Sequence, residues 1–363
     1  MMIGWTLGRY FFLRYAKITA YFLLGSFALA LILDFTELSG KLSSLPDYSA
    51  IQAFGLSAMR IPYIMQQVFP FIALFAAMAT LISLNRKYEL VVARSVGVSA
   101  WQFLLPACTG AFLFGLAAVL VVNPLAAWGF ERSEQITANW RAGKANDVQA
   151  DRVPWLRQKT EDGETIIGAK TVVNRGLRLV DSTFIRLDKN QDILERLDAK
   201  IADLDDGFWR LTEVTKFVQG EKPVSLDEVR IPTHLRPEFV EESLARPETI
   251  PFFELRNKIA AARSFGYPAN AFDMHFQSLL ALPALLMAMT LIAATVSLKF
   301  VRFGQSGTMI LGGVLAGFVL YVVTVVVKAF GNAGFVPPFI AAWTPVLIAT
   351  FFGVSFLLHK EDG

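Results

Sequence analysis

Apolar residues gather in six long stretches, and in none of them do apolar and polar positions alternate. The stretches run near Tyr15–Leu38, Phe54–Leu84, Trp101–Phe130, Phe272–Leu298, Thr308–Phe330 and Pro337–Leu358. A helix needs about 20 mostly apolar residues to cross the hydrocarbon core of a bilayer, so each stretch predicts a span. Without a period of two, a transmembrane β-barrel is not expected. The second and third stretches exceed one crossing, which predicts tilt or extension beyond the bilayer.

Between the third and fourth stretches the pattern changes. Val153–Gln158, Thr165–Val173, Arg178–Leu187 and Lys200–Leu204 are short, rich in β-branched residues and bounded by turn residues, as strands are. Asp206-Gly207 ahead of Phe208-Trp209-Arg210-Leu211 predicts a tight turn entering a strand, because glycine supplies the positive φ a hairpin needs. Lys216, Val218 and Val224–Ile231 continue the pattern. Several such strands in about 110 residues predict a sandwich or jellyroll-like sheet. Pro251–Arg263 then sets Phe252, Phe253, Leu255 and Ile259 on one side of a helix. Such a helix lies either on the membrane surface or at the edge of the preceding domain.

Charge sharpens this division. The chain has 363 residues, 54% hydrophobic and only 18% charged, against about 25% charged in an ordinary soluble domain. Residues 131–270 hold 24 of the 31 acidic and 22 of the 34 basic residues. One soluble globule is excluded, and so is a disordered chain. A net charge of +3 is too small and dispersed for nucleic-acid binding. The single cysteine, Cys108, can form no intrachain disulfide. With the N-terminus inside, the inner segments carry Arg9, Arg14, Lys17, Arg86, Lys87, Arg94, Lys299, Arg302 and Lys360, and the outer ones only Lys41, Arg60 and Lys328. Basic residues mark the cytoplasmic side, so both termini are expected inside and residues 131–270 outside. Ala28-Leu29-Ala30 has the form of a signal-peptide cleavage site, but the apolar run continues through Leu33, too long for a cleaved segment.

The expected fold is a polytopic α-helical membrane protein with six transmembrane helices and an inserted periplasmic β-jellyroll-like domain. Residues 1–130 hold the first three spans with a cytoplasmic helix at 85–99, 131–250 the sheet domain, and 251–363 the surface helix and last three spans.

Candidate chemistry is sparse. No phosphate-binding loop G-x-x-x-x-G-K-[ST] occurs; the nearest segment, Gly304-Gln305-Ser306-Gly307, lacks the lysine. Any ATP-driven work would need a nucleotide site on another chain. His234, His275 and His359 form no ligand pair, so no metal, cofactor or catalytic group is expected. The segment Asn85–Ser99 is more informative. Leu90, Ala93 and Val96 recur at helical spacing, Gly97 can end the helix, and Glu89 lies near its start, where the dipole favours a carboxylate. It reads equally as a surface helix with basic flanks or as a transverse helix docking into a cytoplasmic partner. Asp34 and Glu37 close the first span beside Lys41; charges there sit at the interface or line a polar seam. Gly313 and Gly317 form a G-x-x-x-G, which permits close helix approach inside the bundle or between subunits.

Three blocks carry a resemblance: Phe69-Pro70-Phe71 through Leu84 with Glu89-Leu90-Val91-Val92 and Ser95-Val96-Gly97; Glu131–Arg141, ending Asn139-Trp140-Arg141; and Pro337-Pro338-Phe339-Ile340-Ala341-Ala342-Trp343-Thr344-Pro345. In this order, with three spans, a β-domain and three spans, the chain resembles the lipopolysaccharide-export ABC transporter permeases of the LptF/LptG family. The wording at Glu89-Leu90-Val91-Val92 is closer to the LptG-type subunit.

The resemblance implies a permease paired with a second homologous permease and a cytoplasmic ATPase dimer in the bacterial inner membrane. That assembly extracts lipopolysaccharide and passes it to a periplasmic bridge protein of similar β-fold. Glu89 falls on the carboxylate of the ATPase-coupling helix, with Leu90, Val91 and Arg94 supporting the contact. ATPase closure would push this helix and narrow a lipid cavity between spans one and five. Lys41 and Arg141 match basic positions that meet lipid phosphates. The chain departs from the family at Asp34 and Glu37, where basic residues can stand. The rival expectation is a membrane scaffold whose β-domain binds periplasmic assembly partners. A secondary transporter ranks lower, because the span centres lack paired polar or broken helices.

Overall fold

The computed structural model describes the chain except residues 1–3, 44–48, 143–154, 161–162, 174–176, 189–191, 206, 219, 221, 234–245, 265–268, 298–305 and 362–363. His234, Lys299 and Arg302 lie outside the described residues. The chain divides into two compact units, one of Met1–Phe130 with Pro247–Gly363, the other of Glu131–Arg246.

The first unit is helical. Its elements are α1 (Trp5–Leu42), α2 (Ala50–Arg86), α3 (Glu89–Ser95) and α4 (Ala100–Ala117), which runs through a π-helical turn at Ala118–Val122 into α5 (Asn123–Ala142). After the sheet come α6 (Phe252–Ser264), α7 (Asn270–Ser297), α8 (Ser306–Asn332) and α9 (Pro338–Glu361). Among the described residues six helices are long and apolar enough to cross a membrane, as the hydrophobic pattern predicted. The long ones overrun a bilayer: 37 residues in α2 extend about 55 Å against a hydrocarbon core of about 30 Å.

The centre of this unit is α2 and α7, whose most apolar windows are 61% and 67% buried; α1 and α8 are peripheral, at 11% and 22%. Glycine sets the closest helix approaches. A Cβ on Gly115 of α4 would stand 2.4 Å from Pro283 Cα of α7. Gly313 and Gly317 of α8 lie against Met78 and Leu74 of α2, so the G-x-x-x-G packs within the chain. Three buried hydroxyls are satisfied by their own helices: Thr80 donates to the Ala76 carbonyl, Thr290 to Leu286 and Thr324 to Leu320. Such back-bonding answers the demand that polar groups within a bilayer find partners inside the protein. Helix α6 folds back on α7 with Leu255 and Ile259 buried and Phe252 stacked on Phe276 at 5.3 Å. The Phe252 amide at its start donates to Asn123 Oδ1 at 2.8 Å.

The second unit holds one antiparallel sheet: β1 (Trp155–Thr160), β2 (Gly163–Val173), β3 (Arg178–Leu187), β4 (Ile193–Asp205), β5 (Phe208–Phe217) and β6 (Val224–Pro232). The expected jellyroll-like domain is seen as a six-stranded meander, with spatial order equal to chain order. Gly207 makes the β4–β5 turn at φ +84; its neighbour Asp206 lies outside the described residues. Five strand spacings would separate β1 from β6 by about 24 Å in a flat sheet. Yet Gln158 of β1 accepts from the Thr233 hydroxyl just past β6 at 2.5 Å. The sheet therefore rolls until its edges approach, enclosing Phe184, Leu197, Trp209 and Leu211. Asp181 of β3 and Glu213 of β5 take left-handed conformations, φ 49 and 52. There the alternation slips in step: Leu179 then Ser182 are buried on β3, Ala199 then Ala202 on β4, and Leu211 then Val214 on β5. This crease sharpens the roll, as bulges do.

Candidate functional site

Two residues, Lys87 and Tyr88, turn α2 into α3, and the corner requires Tyr88 to adopt φ 60. Gly97 ends the short helix at φ 88, where its amide bonds the Arg94 carbonyl and the Val98 amide bonds that of Ala93. Serine 99 then opens α4 with a reciprocal cap: its hydroxyl accepts from the Gln102 amide, and its own amide donates to the Gln102 side chain. Fixed corners at both ends bound α3.

The helix has two faces. Leu90, 4% exposed, enters a core cluster with Phe11, Leu84, Phe103, Leu291 and Leu357, and Ala93 is buried beside it. Tyr88, Val92 and Val96, four residues apart, are 59%, 60% and 78% exposed. They make an apolar ridge flanked by exposed Arg86, Lys87 and Arg94. Arg94 lies with its guanidinium carbon 5.7 Å from the Phe103 ring centroid. Of the residues singled out in the sequence, Leu90 thus holds α3 from behind, Val91 is half-buried and Arg94 stands at the rim.

Glu89 turns sideways rather than outward. Its Oε2 accepts from the Tyr10 hydroxyl at 2.9 Å, and Arg14 Nη1 stands 3.5 Å from its Oε1. Arg14 also donates to the Tyr10 hydroxyl at 2.6 Å and to Ser83 Oγ at 2.8 Å. One guanidinium therefore joins the ends of α1, α2 and α3.

A second polar cluster joins α1 to α2 near their other ends. Asp34, 7% exposed, accepts from Ser57 Oγ at 2.7 Å and faces Arg60 Nη1 at 3.5 Å. The sequence placed Asp34 at the interface or in a polar seam; the structure turns it into the helix pair. Arg60, 26 residues downstream, was visible only as one of the outer cations, since the pairing depends on how α1 and α2 fold against each other. Lys41 pairs with Glu37 at 2.6 Å, one helical turn away, and both are exposed. Arg141 falls within α5, but its side chain lies outside the described residues. Among the described residues no cluster of His, Cys, Asp and Glu is placed to hold a metal ion.

Six apolar helices, an inserted rolled sheet and a short helix bared along one apolar ridge define a multi-spanning membrane protein. The family model described as lipopolysaccharide export system permease LptF/LptG matches residues 9–359, and the chain belongs to that family. It is similar to the lipopolysaccharide export system permease protein LptG of Haemophilus influenzae, 23% identical over 329 residues, covering 87% of this chain and 88% of that one. The protein of the same name from Escherichia coli K12 is 24% identical over 323 residues, 86% of each chain. Both relatives are LptG proteins, the subunit type the sequence suggested. The chain is thus a permease subunit of a lipopolysaccharide export transporter, not an enzyme.

Proposed function

We propose that the chain works beside a second homologous permease, on two copies of a cytoplasmic ATPase, to lift lipopolysaccharide out of the inner membrane. Both termini and α3 face the cytoplasm, and the sheet is periplasmic, where it hands the lipid to a bridge protein of similar β-fold. The observation that carries this reading is the bared face of α3: Tyr88, Val92 and Val96 stand exposed on a helix whose other face is locked into the bundle. An amphipathic helix offering an apolar ridge with a charged rim suits a groove on a partner. ATPase closure supplies displacement, and the permease needs conformations of different lipid affinity, not catalytic groups. Lys41, once released from Glu37, and Arg141 are the proposed contacts for lipid phosphates, since a cation paired to phosphate makes strong hydrogen bonds.

A photo-crosslinker at Val92 in native membranes tests the docking. It should capture an ATPase subunit, while one at buried Leu90 should not. Capture of only membrane-embedded chains from Val92 would contradict the assignment. Reporters fused after Arg94 and after Gly220 test the orientation; they should behave as cytoplasmic and periplasmic, and the reverse pattern would overturn it.

A further inference from the structure

We propose that Lys328, with His275 and Trp343, binds one small anion, of which chloride is the type, between the ends of α7, α8 and α9. The site stands apart from α3 and from the transport reading given above, and does not depend on it.

Three helices meet at Gly331. A Cβ there would stand 2.5 Å from Met274 Sδ of α7 and 2.9 Å from Ala341 Cβ of α9. His275 and Gln277 follow Met274 by one and three residues, Trp343 follows Ala341 by two, and Lys328 precedes Gly331 by three. At 1.5 Å per residue, all four lie within about one helical turn of that contact. His275 Nε2, Gln277 Oε1 and Trp343 Nε1 are buried and have no hydrogen-bond partner among the described residues. Lys328 shares its helix face with Gly317, Thr324 and Gly331, which pack inward. The exposed Val319, Val326 and Phe330 lie on the other side of α8. Burial strips water from the Lys328 ammonium, and its charge acts on the His275 imidazole.

This cation has no carboxylate to meet. The chain holds no acidic residue between Asp273 and Glu361, and Asp273 is taken by Arg263 at 2.6 Å. A charge sheltered within spans is costly unless it is paired. An anion would answer the ammonium and the indole N–H together, by charge-assisted hydrogen bonds. The imidazole can donate as well, and the Gln277 amide can turn its nitrogen to the same point. Helices that approach closely enough for an added methyl to collide favour the ligand that demands least space, a one-atom ion.

The test follows thermal melting of the purified full chain as chloride replaces gluconate at constant ionic strength. Chloride at about 100 times its dissociation constant should raise the melting temperature by about 2–4 °C and saturate. Lys328→Met should abolish the response and Lys328→Arg should keep it. Trp343→Phe removes the N–H, keeps a ring, and should raise the half-maximal chloride concentration about tenfold. Crystals grown in bromide should show one anomalous peak beside Lys328. An unaltered chain indifferent to chloride and bromide overturns the site. So does a response that Lys328→Met retains, which would place the ion elsewhere. Stabilisation by phosphatidylglycerol vesicles or inorganic phosphate, with halides inert, would give the lysine to a lipid headgroup or a free phosphate respectively and also overturn it. If Lys328→Met does not fold, the Trp343→Phe titration and the bromide peak decide.

Discussion

Two polar clasps hold α1 against its neighbours, and they differ in depth. The Asp34–Ser57–Arg60 clasp buries its carboxylate, with Asp34 7% exposed beside an Arg60 that is 28% exposed. The Tyr10–Arg14–Glu89 clasp is half open, its Arg14 and Glu89 side chains 19% and 28% exposed. Depth sets what a clasp is for. A buried ion pair costs most of its Coulombic gain in desolvation, but breaking it strands a charge; such a pair persists as a fixture. A partly wetted pair contributes little to stability and can exchange partners as the protein moves.

The largest effect should come from stranding the buried charge. Arg60→Ala leaves Asp34 unpaired and should cost about 3–5 kcal/mol, read as a lower melting temperature of the purified chain and lower abundance in membranes. Replacing both charges, Asp34→Leu with Arg60→Met, should recover most of that loss. If Arg60→Ala is as mild as Glu89→Gln, the contrast between the clasps fails.

Next is the packing that both clasps presuppose. Gly115→Ala puts a methyl 2.4 Å from Pro283 Cα, a backbone atom with no easy retreat. Overpacking of this kind should cost about 1–3 kcal/mol in the same melting assay. Because the site lies on α4 and α7 rather than α1, it should not change how tightly lipid release follows ATP hydrolysis. The open clasp should show a smaller effect: Glu89→Gln should alter stability by less than about 1 kcal/mol.

The smallest effect belongs to a third ion cluster, in the sheet. Glu195 lies between Arg186 and Lys216, 2.6 Å from each. Burial opposes its charged form, but the hydrogen bonds and charges of Lys216 and Arg186 outweigh that, and its pKa falls below the ordinary carboxylate value. A carboxylate lowered on folding adds stability that is present above its unfolded pKa and lost as pH falls through its folded pKa. Protection of the β3–β5 amides of the full chain, taken relative to their intrinsic exchange rate at each pH, should therefore fall on acidification through and below the usual carboxylate range. Glu195→Gln should flatten that response and leave the helical unit unchanged.

The sequence showed what periodicity encodes and missed what packing decides. The six apolar runs and the β-branched strands needed only local pattern; on α3 the spacing picked out buried Leu90 and Ala93, but Val96, which it grouped with them, is 78% exposed just past the helix end. The start of α1 at Trp5 rather than near Tyr15 was less visible, because Arg9 and Arg14 interrupt hydropathy without interrupting helical geometry. The partners of Glu89 were not legible at all. Arg14 lies 75 residues away, and only the packing of α1 beside α2 and α3 brings it near. Gly313 and Gly317 gave no sign of whether they served a subunit contact or, as found, the seats of Met78 and Leu74. The crease at Asp181 and Glu213 was hidden too, since neither residue is one whose backbone a turn rule flags.

The central claim is that this chain moves lipopolysaccharide out of the membrane it spans. It is tested most directly by depleting the chain in living cells and following newly made lipopolysaccharide by pulse labelling and membrane fractionation. Labelled lipid should stay in the inner membrane and reach the outer membrane again when the unaltered chain is restored. Arrival at the outer membrane at the normal rate in depleted cells would contradict it.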